Sequence, residues 1–211
     1  MDKRVQNATR DRNKNIKSAM GYLKMLLISK FLIGNANVAN EITKIEKEND
    51  ISLPSEYKKF ICKYNGGHTP DTQFKVGRIS SDICAFYGVG EVEYSLSKID
   101  LSEWIEKNVI PIAYDIYGNH IVIGLRAGKA GKIYFYDHEE GHKLKELTGD
   151  LISFFKCCRS KKIGYIPSIE EREQLLIKNG KEANITDSLR KAWQSEIDLY
   201  KDMVQEKVII E

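Results

Sequence analysis

Three places in the chain bring together side chains of the kind that do chemistry. His138-Glu139-Glu140-Gly141-His142 fits H-E-x-x-H, the pattern in which two histidines one helical turn apart hold zinc and the glutamate acts as the base of a hydrolase. That mechanism needs the segment on a helix and a third ligand. Here the segment follows the strand-like Lys132 to Tyr136 and contains Gly141, which suits a turn. His68 and His120 show no spacing that marks either as the missing ligand. A polar turn is the expectation, and a zinc hydrolase using His138 and His142 stands as the alternative from a different functional class.

The cysteines Cys62, Cys84, Cys157 and Cys158 form no C-x-x-C pair and lack the density of a stapled secreted scaffold, so reduced, packed thiols are expected. Gly88-Val89-Gly90 is a fragment of a phosphate-binding loop and reads as a strand-ending turn. No nucleophile elbow, Walker loop or dinucleotide fingerprint occurs. No catalytic residue, cofactor or metal is therefore expected. The third feature is acidic. Glu91, Glu93, Asp100, Glu103 and Glu106 crowd one segment with only Lys98 and Lys107 for company, and Asp137, Glu139 and Glu140 make a second knot. Carboxylates of this kind form either a solvated surface or a negative face complementary to a basic partner, and these eight residues are the candidate partner-binding set.

The elements that must position these groups follow from the period of the apolar residues. Ile16, Met20, Leu23, Leu27 and Phe31 fall at helical spacing and predict an amphipathic helix over 16–33. The apolar run Ala19 to Ile33, with Ala36-Asn37-Val38-Ala39 after it, superficially resembles a signal peptide. Lys24 and Lys30 interrupt it, and it is too short to span a membrane. Val38, Ile42 and Ile45 predict a second helix capped by Asn35 or Asn37; Leu53, Tyr57, Phe60, Ile61 and Tyr64 predict a third, entered at Pro54 and stopped at Asn65-Gly66-Gly67. The period then shifts toward two. Phe74–Ile79, Ile83–Val89, Val109–Tyr114, His120–Leu125 and Lys132–Tyr136 read as an antiparallel meander, with a helical turn at Asp100–Glu106. A helix with Leu151, Phe154, Phe155 and Cys158 on one face follows, behind Thr148 or Asp150. After Lys161 come two more: one behind a Ser168-x-x-Glu171 capping box, one carrying the stripe Leu189, Trp193, Ile197, Tyr200 and Val204, which must be buried against the domain or a partner.

Charge divides the chain in the same places. Residues 1–34 hold eight lysines and arginines against two acids, residues 35–160 sixteen against eighteen, and residues 161–211 nine against ten, within a net charge of +3. The reading is α+β: N-terminal helices packed on a twisted, mostly antiparallel sheet, with a basic arm over 1–34, a domain over 35–160 and a two-helix extension over 161–211. A basic leader can touch polyanions, yet nucleic acid is not the expected partner.

Ordered blocks then point to a family. Ile51-Ser52-Leu53-Pro54-Ser55-Glu56-Tyr57-Lys58-Lys59-Phe60 with Tyr64-Asn65-Gly66-Gly67, then Phe86-Tyr87-Gly88-Val89-Gly90, then Ile110 to Asp115 with Gly118-Asn119, then Gly131 to Glu139 resemble, in this order, the Smi/Knr-like branch of the SUKH superfamily. The resemblance implies a non-catalytic protein-binding domain. Its bacterial members are similar to immunity proteins that neutralise polymorphic or contact-dependent toxins, often nucleases, and its fungal members to regulators of cell-wall synthesis. The expected partner is thus a cognate toxin domain, with an intracellular adaptor or regulator as the other reading on this fold. A cytoplasmic location without membrane contact is expected, and the oligomeric state is left open. The family's shared residues fall on Leu53, Pro54, Tyr57, Phe60, Asn65, Gly66, Gly67, Pro111, Asp115, Gly118, Asn119 and Asp137, most with structural roles. The N-terminal arm and the C-terminal helices depart from the family pattern.

Overall fold

The computed structural model describes residues 23–31, 37–126, 128–141 and 143–210. In chain order its elements are β1 (Leu27–Ser29), α1 (Val38–Glu48), α2 (Ser55–Tyr64), β2 (Gly67–Val76), β3 (Ile79–Phe86), α3 (Ser102–Glu106), β4 (Val109–Asp115), β5 (His120–Gly124), β6 (Ile133–Asp137), β7 (Lys143–Thr148), α4 (Leu151–Cys157), β8 (Cys158–Ser160), α5 (Ile169–Lys178), α6 (Asp187–Tyr200) and β9 (Gln205–Lys207). The class is α+β. The strands form one open antiparallel sheet in the order β7-β6-β5-β4-β3-β2-β1-β9, with β8 also pairing β2.

Two compact units divide the chain: residues 1–162 together with 206–211, and residues 163–205. In the first, α1, α2 and α4 lay their apolar stripes on one face of the sheet. Tyr57, Phe60 and Ile61 of α2, Phe154 of α4 and Phe74, Phe86, Ile110, Ile112, Ile121 and Ile123 of the strands are essentially inaccessible to solvent. Phe60 lies at the centre, its ring 5.4 Å from those of Tyr64, Phe86 and Phe155. Asn37 caps α1, Asp150 caps α4, and Glu46 of α1 accepts the Leu53 N–H at 2.6 Å and the Lys58 ammonium at 2.9 Å, fixing α1 against the start of α2.

In the second unit the expected capping box is present: Ser168 Oγ accepts the Glu171 N–H at 3.2 Å and Glu171 accepts the Ser168 N–H at 2.8 Å. Thr186 caps α6. Arg172 pairs with Glu196 at 2.8 Å and lies over the Trp193 ring, and Arg190 pairs with Glu173, so charge links α5 to α6. No described residue of this unit is fully buried. Leu189, Trp193, Ile197 and Tyr200 are half-buried, while α6 stops at Tyr200 and leaves Val204 79% exposed. The apolar stripe expected here therefore runs along α6 from Leu189 to Tyr200, with Val204 beyond the end of the helix.

Two further expectations are corrected. The helix anticipated over 16–33 is, in its described part, the strand β1; Ile16 and Met20 lie outside the described residues. Leu26, Leu27 and Ile28 are all buried, and a short apolar run buried on both sides has no period from which helix and strand can be told apart. Cys158, placed on the last face of α4, instead begins β8, where it pairs with Phe74. Strands β7, β8 and β9 were not anticipated. β7 is charged (Lys-Leu-Lys-Glu-Leu-Thr), and β8 and β9 span three residues each, too few to show a period. β9 continues into Val208, whose N–H donates to Leu26 O at 3.0 Å, and Ile209, whose N–H donates to the Tyr64 hydroxyl at 2.8 Å.

Candidate functional site

The polar residues of the sequence signature are spent on the fold. Asn65 ends α2 with φ +52, accepts the Val89 N–H on Oδ1 at 2.8 Å and donates from Nδ2 to Val89 O at 3.2 Å. It thereby ties the end of α2 to the crossover that leaves β3. The approach is so close that a Cβ on Gly88 would stand 2.2 Å from Asn65 O, and one on Gly66 would stand 2.6 Å from Phe86 O, so backbone alone fits at both positions. Gly67 begins β2 beside Ser29. Asp115, 2% exposed, accepts from the Ser81 hydroxyl at 2.6 Å, the N–H groups of Tyr117 and Asn119 at 2.9 and 2.8 Å, and Asn119 Nδ2 at 2.9 Å, which shapes the β4–β5 turn around Gly118. Pro111 lies in β4 at a bulge against β5, and Leu53, Pro54, Tyr57 and Phe60 form the entrance and buried face of α2. Among the described residues the buried Tyr57 hydroxyl has no hydrogen-bond partner, and its burial pushes its pKa far above the usual tyrosine range.

The H-E-x-x-H segment is not helical. His138 to Gly141 make the β6–β7 turn, with Gly141 at φ +66; His142 lies outside the described residues. The His138 ring engages Asn119 Oδ1 through Nδ1 at 2.8 Å, which joins this turn to the β4–β5 turn. All four cysteines are free, and among the described residues no three His, Cys, Asp or Glu side chains are placed to hold a metal ion.

The acidic residues occupy two places. Glu91, Glu93, Asp100, Glu103 and Glu106 ride on the β3–β4 crossover, which includes α3. Glu93 pairs with His68 at 2.8 Å, Glu91 reaches Lys98 at 3.6 Å, and Asp100 accepts the N–H and the hydroxyl of Ser102 at the start of α3. In the second place Asp137 accepts the N–H groups of Glu139 and Glu140, and Lys145 pairs with Asp137 and Glu140 at 3.5 and 2.7 Å. Glu103, Glu106 and Glu139 are exposed and make no side-chain ion pair with any described residue.

A feature that residue counting missed lies between these two groups. On the sheet face opposite α1, α2 and α4, direct cross-strand partners form one row: His68 of β2 opposite Ala85 of β3, Ala85 opposite Tyr114 of β4, Tyr114 opposite His120 of β5, His120 opposite Tyr136 of β6, and Tyr136 opposite Leu144 of β7. Tyr94 of the crossover fills the space above the small Ala85, its ring 5.8 Å from His68 and 4.9 Å from Tyr114. Trp104 of α3 covers the other end, 5.0 Å from His120 and 4.7 Å from Tyr136. Phe31 meets His68 edge-on at 5.2 Å, and Tyr87 lies 5.9 Å from Tyr114 and stacks on His120 at 6.1 Å. Such edge-to-face and tilted pairs are favourable arrangements of aromatic quadrupoles. Burial holds the His120 imidazole below its ordinary value, so the ring is neutral near pH 7, and burial with a hydrogen bond from the Tyr114 hydroxyl to Tyr94 drives the Tyr114 phenol well upward. His68, Tyr94, Trp104, Tyr114 and His120 keep part of their surface in solvent. The signal was present in sequence as the alternation Ile133-Tyr134-Phe135-Tyr136, which sends isoleucine and phenylalanine to one face and both tyrosines to the other.

The chain is 30% identical over 132 residues, 52% of its own length and 67% of the relative's, to the SPbeta prophage-derived uncharacterized protein YokK of Bacillus subtilis (strain 168). No solved structure matches it. A model of the SMI1 / KNR4 family (SUKH-1) matches residues 39–157, which run from α1 to the end of α4 and include the crossover and the aromatic row from His68 to Leu144. The chain belongs to the SMI1 / KNR4 family (SUKH-1), a family that includes immunity proteins.

Proposed function

We propose that this chain is a non-catalytic immunity protein that neutralises a cognate polymorphic or contact-dependent toxin by binding and occluding it in the cytoplasm. The family match over residues 39–157 carries the reading. The arrangement of the polar signature residues supports a binder over a catalyst. Asn65, Asp115, Asn119 and Asp137 direct their hydrogen bonds inward to backbone and neighbouring turns, so they shape loops. Glu91, Glu93, Asp100, Glu103, Glu106, Asp137, Glu139 and Glu140 are the contact set proposed for the toxin, a nuclease being the class whose basic, polyanion-binding surface such carboxylates complement.

The test is neutralisation. The C-terminal domain of a large protein encoded beside this gene is expressed in a sensitive host with and without the chain. Restored growth and a stoichiometric complex on gel filtration are expected. Continued killing, with no complex between the two purified proteins, would overturn the reading.

A further inference from the structure

We infer that the row His68–Tyr94–Tyr114–His120–Trp104–Tyr136 is the face on which the partner docks, and that the docking element is a basic polypeptide segment whose Arg and Lys side chains lie over these rings. The inference rests on the immunity reading and deepens it by naming the face and the chemistry of what it takes.

Size is the first argument. The named rings run from β2 to β6, about 19 Å for strands about 4.8 Å apart, and Leu144 of β7 beside Tyr136 carries the face to roughly 25 Å. One partner's share of an ordinary stable interface, about 800 Å², is about 30 Å across. The exposed Ile116 and Tyr117 of the β4–β5 turn, 54% and 62% accessible, extend the apolar surface beyond Tyr114 and His120. The half-buried rings of His68, Tyr114 and His120 on the strands and of Tyr94 and Trp104 on the crossover present contact area at little further entropic cost, as interface anchors do, while Tyr136 lies buried beneath Trp104.

Charge selects the occupant. The crossover that borders the row carries five carboxylates against Lys98 and Lys107, and the β6–β7 turn at its far side carries Asp137, Glu139 and Glu140. Lys98 and Lys145 neutralise part of these sets, while Glu103, Glu106 and Glu139 keep their charge free of ion pairs with described residues. A polyanion is repelled by this rim and a cationic segment is drawn to it. The rings themselves take cations: Lys107 Nζ already lies 6.0 Å from the centroid of the Tyr136 ring.

The test is an NMR titration of the full chain, isotopically labelled, with a short peptide of alternating Arg and Gly and with its Glu-for-Arg counterpart. Saturable shifts at Tyr94, Trp104, Tyr114 and His120 with the Arg peptide alone are expected. Tyr94→Ala, and separately the exposed pair Glu103→Lys with Glu106→Lys, should weaken binding by about tenfold or more while the spectrum keeps its dispersion. Absent shifts, shifts confined to other surfaces, equal binding of the Glu peptide, or unchanged affinity in the charge-reversed chain would each overturn the inference. Toxin neutralisation judges the immunity reading separately: a chain that protects cells but ignores the Arg peptide keeps that reading and loses this face.

Discussion

Beneath α1, α2 and α4 the strands present Phe74, Phe86, Ile121, Ile123, Ile133 and Phe135, whereas the alternate positions of the same strands present Tyr114, His120, Tyr134 and Tyr136 to the other side. The first face is sealed by helices and is mostly hydrocarbon at its contacts, with the Tyr57 hydroxyl buried in it. The second is only partly covered, by a crossover and the five-residue α3, and its rings carry hydroxyls and ring nitrogens at their edges. Leaving a buried hydroxyl without a partner is costly, which makes Tyr57 an exception on the sealed face, whereas His68, Tyr94, Tyr114 and His120 keep part of their surface in solvent. Stability resides mainly in the first face, and the second is free to serve recognition.

The largest expected effect falls on the covered face. Phe60→Ala removes a fully buried ring that touches Tyr57, Tyr64, Phe86 and Phe155 and should cost about 3–5 kcal/mol in denaturant unfolding. Survival of the fold with a loss under about 1 kcal/mol would show that the helices are not what holds the sheet. Asn65→Ala deletes both side-chain bonds to Val89 and leaves an alanine at positive φ, for an expected loss of about 2–3 kcal/mol and increased hydrogen exchange across residues 88–95. That variant separates the link between the faces from either face alone.

Alkali tests the buried phenols. Tyr87 is raised by burial to about 12, and Tyr57 and Tyr114 are raised further. Between pH 10 and these values the unfolded chain releases phenolic protons that the native state retains, so the native state binds more protons and stability must fall as pH rises. Unfolding midpoints measured from pH 8 to 11.5 should begin to decline near pH 8.5, where the unfolded chain releases the thiol protons that burial holds on Cys84 and Cys158, and fall more steeply above about pH 9.5 as the phenols join them. A flat profile would mean that the phenols ionise freely in the native state.

Trp104→Ala strips a half-buried ring from the aromatic face and should cost only about 1–2 kcal/mol, less than its ring size suggests, because part of its surface is already wet. Smallest of all, the exposed Glu103→Lys with Glu106→Lys should change stability by less than about 0.5 kcal/mol. A large loss from either would remove the contrast between the faces.

Much of the frame was legible in one sequence. The stripe Leu53, Tyr57, Phe60, Ile61 and Tyr64 and the stop at Asn65-Gly66-Gly67 located α2 through one-sided burial, and short runs rich in isoleucine, valine and aromatic residues between Gly, Asp and Asn turns located β4, β5 and β6, which are buried on both sides. The errors have the same physical origin. Leu26 to Ile28 form a three-residue apolar run buried throughout, and in β7 the adjacent charges Lys145 and Glu146 break the alternation at an irregularity against β6, so neither shows the period of its state. Among the site residues, the eight carboxylates stood out by clustering in sequence, whereas the aromatic row draws its members from β2, β4, β5, β6, the crossover and α3, with no two adjacent in the chain.

Sequence by itself determined the class, the order of the main elements, the signature that places the chain in its family, and the turn at His138 to Gly141. These depend on local backbone preference and on periods of a few residues. Only the tertiary structure decided that the last residues, from Gln205 to Ile209, pair at the β1 edge and bond to Tyr64, and that His68, Tyr114, His120 and Tyr136 stand in one line. Register is set by which strands pair and by the bulges at Pro111 and in β2, and a slip of one residue would turn every one of those rings to the other face.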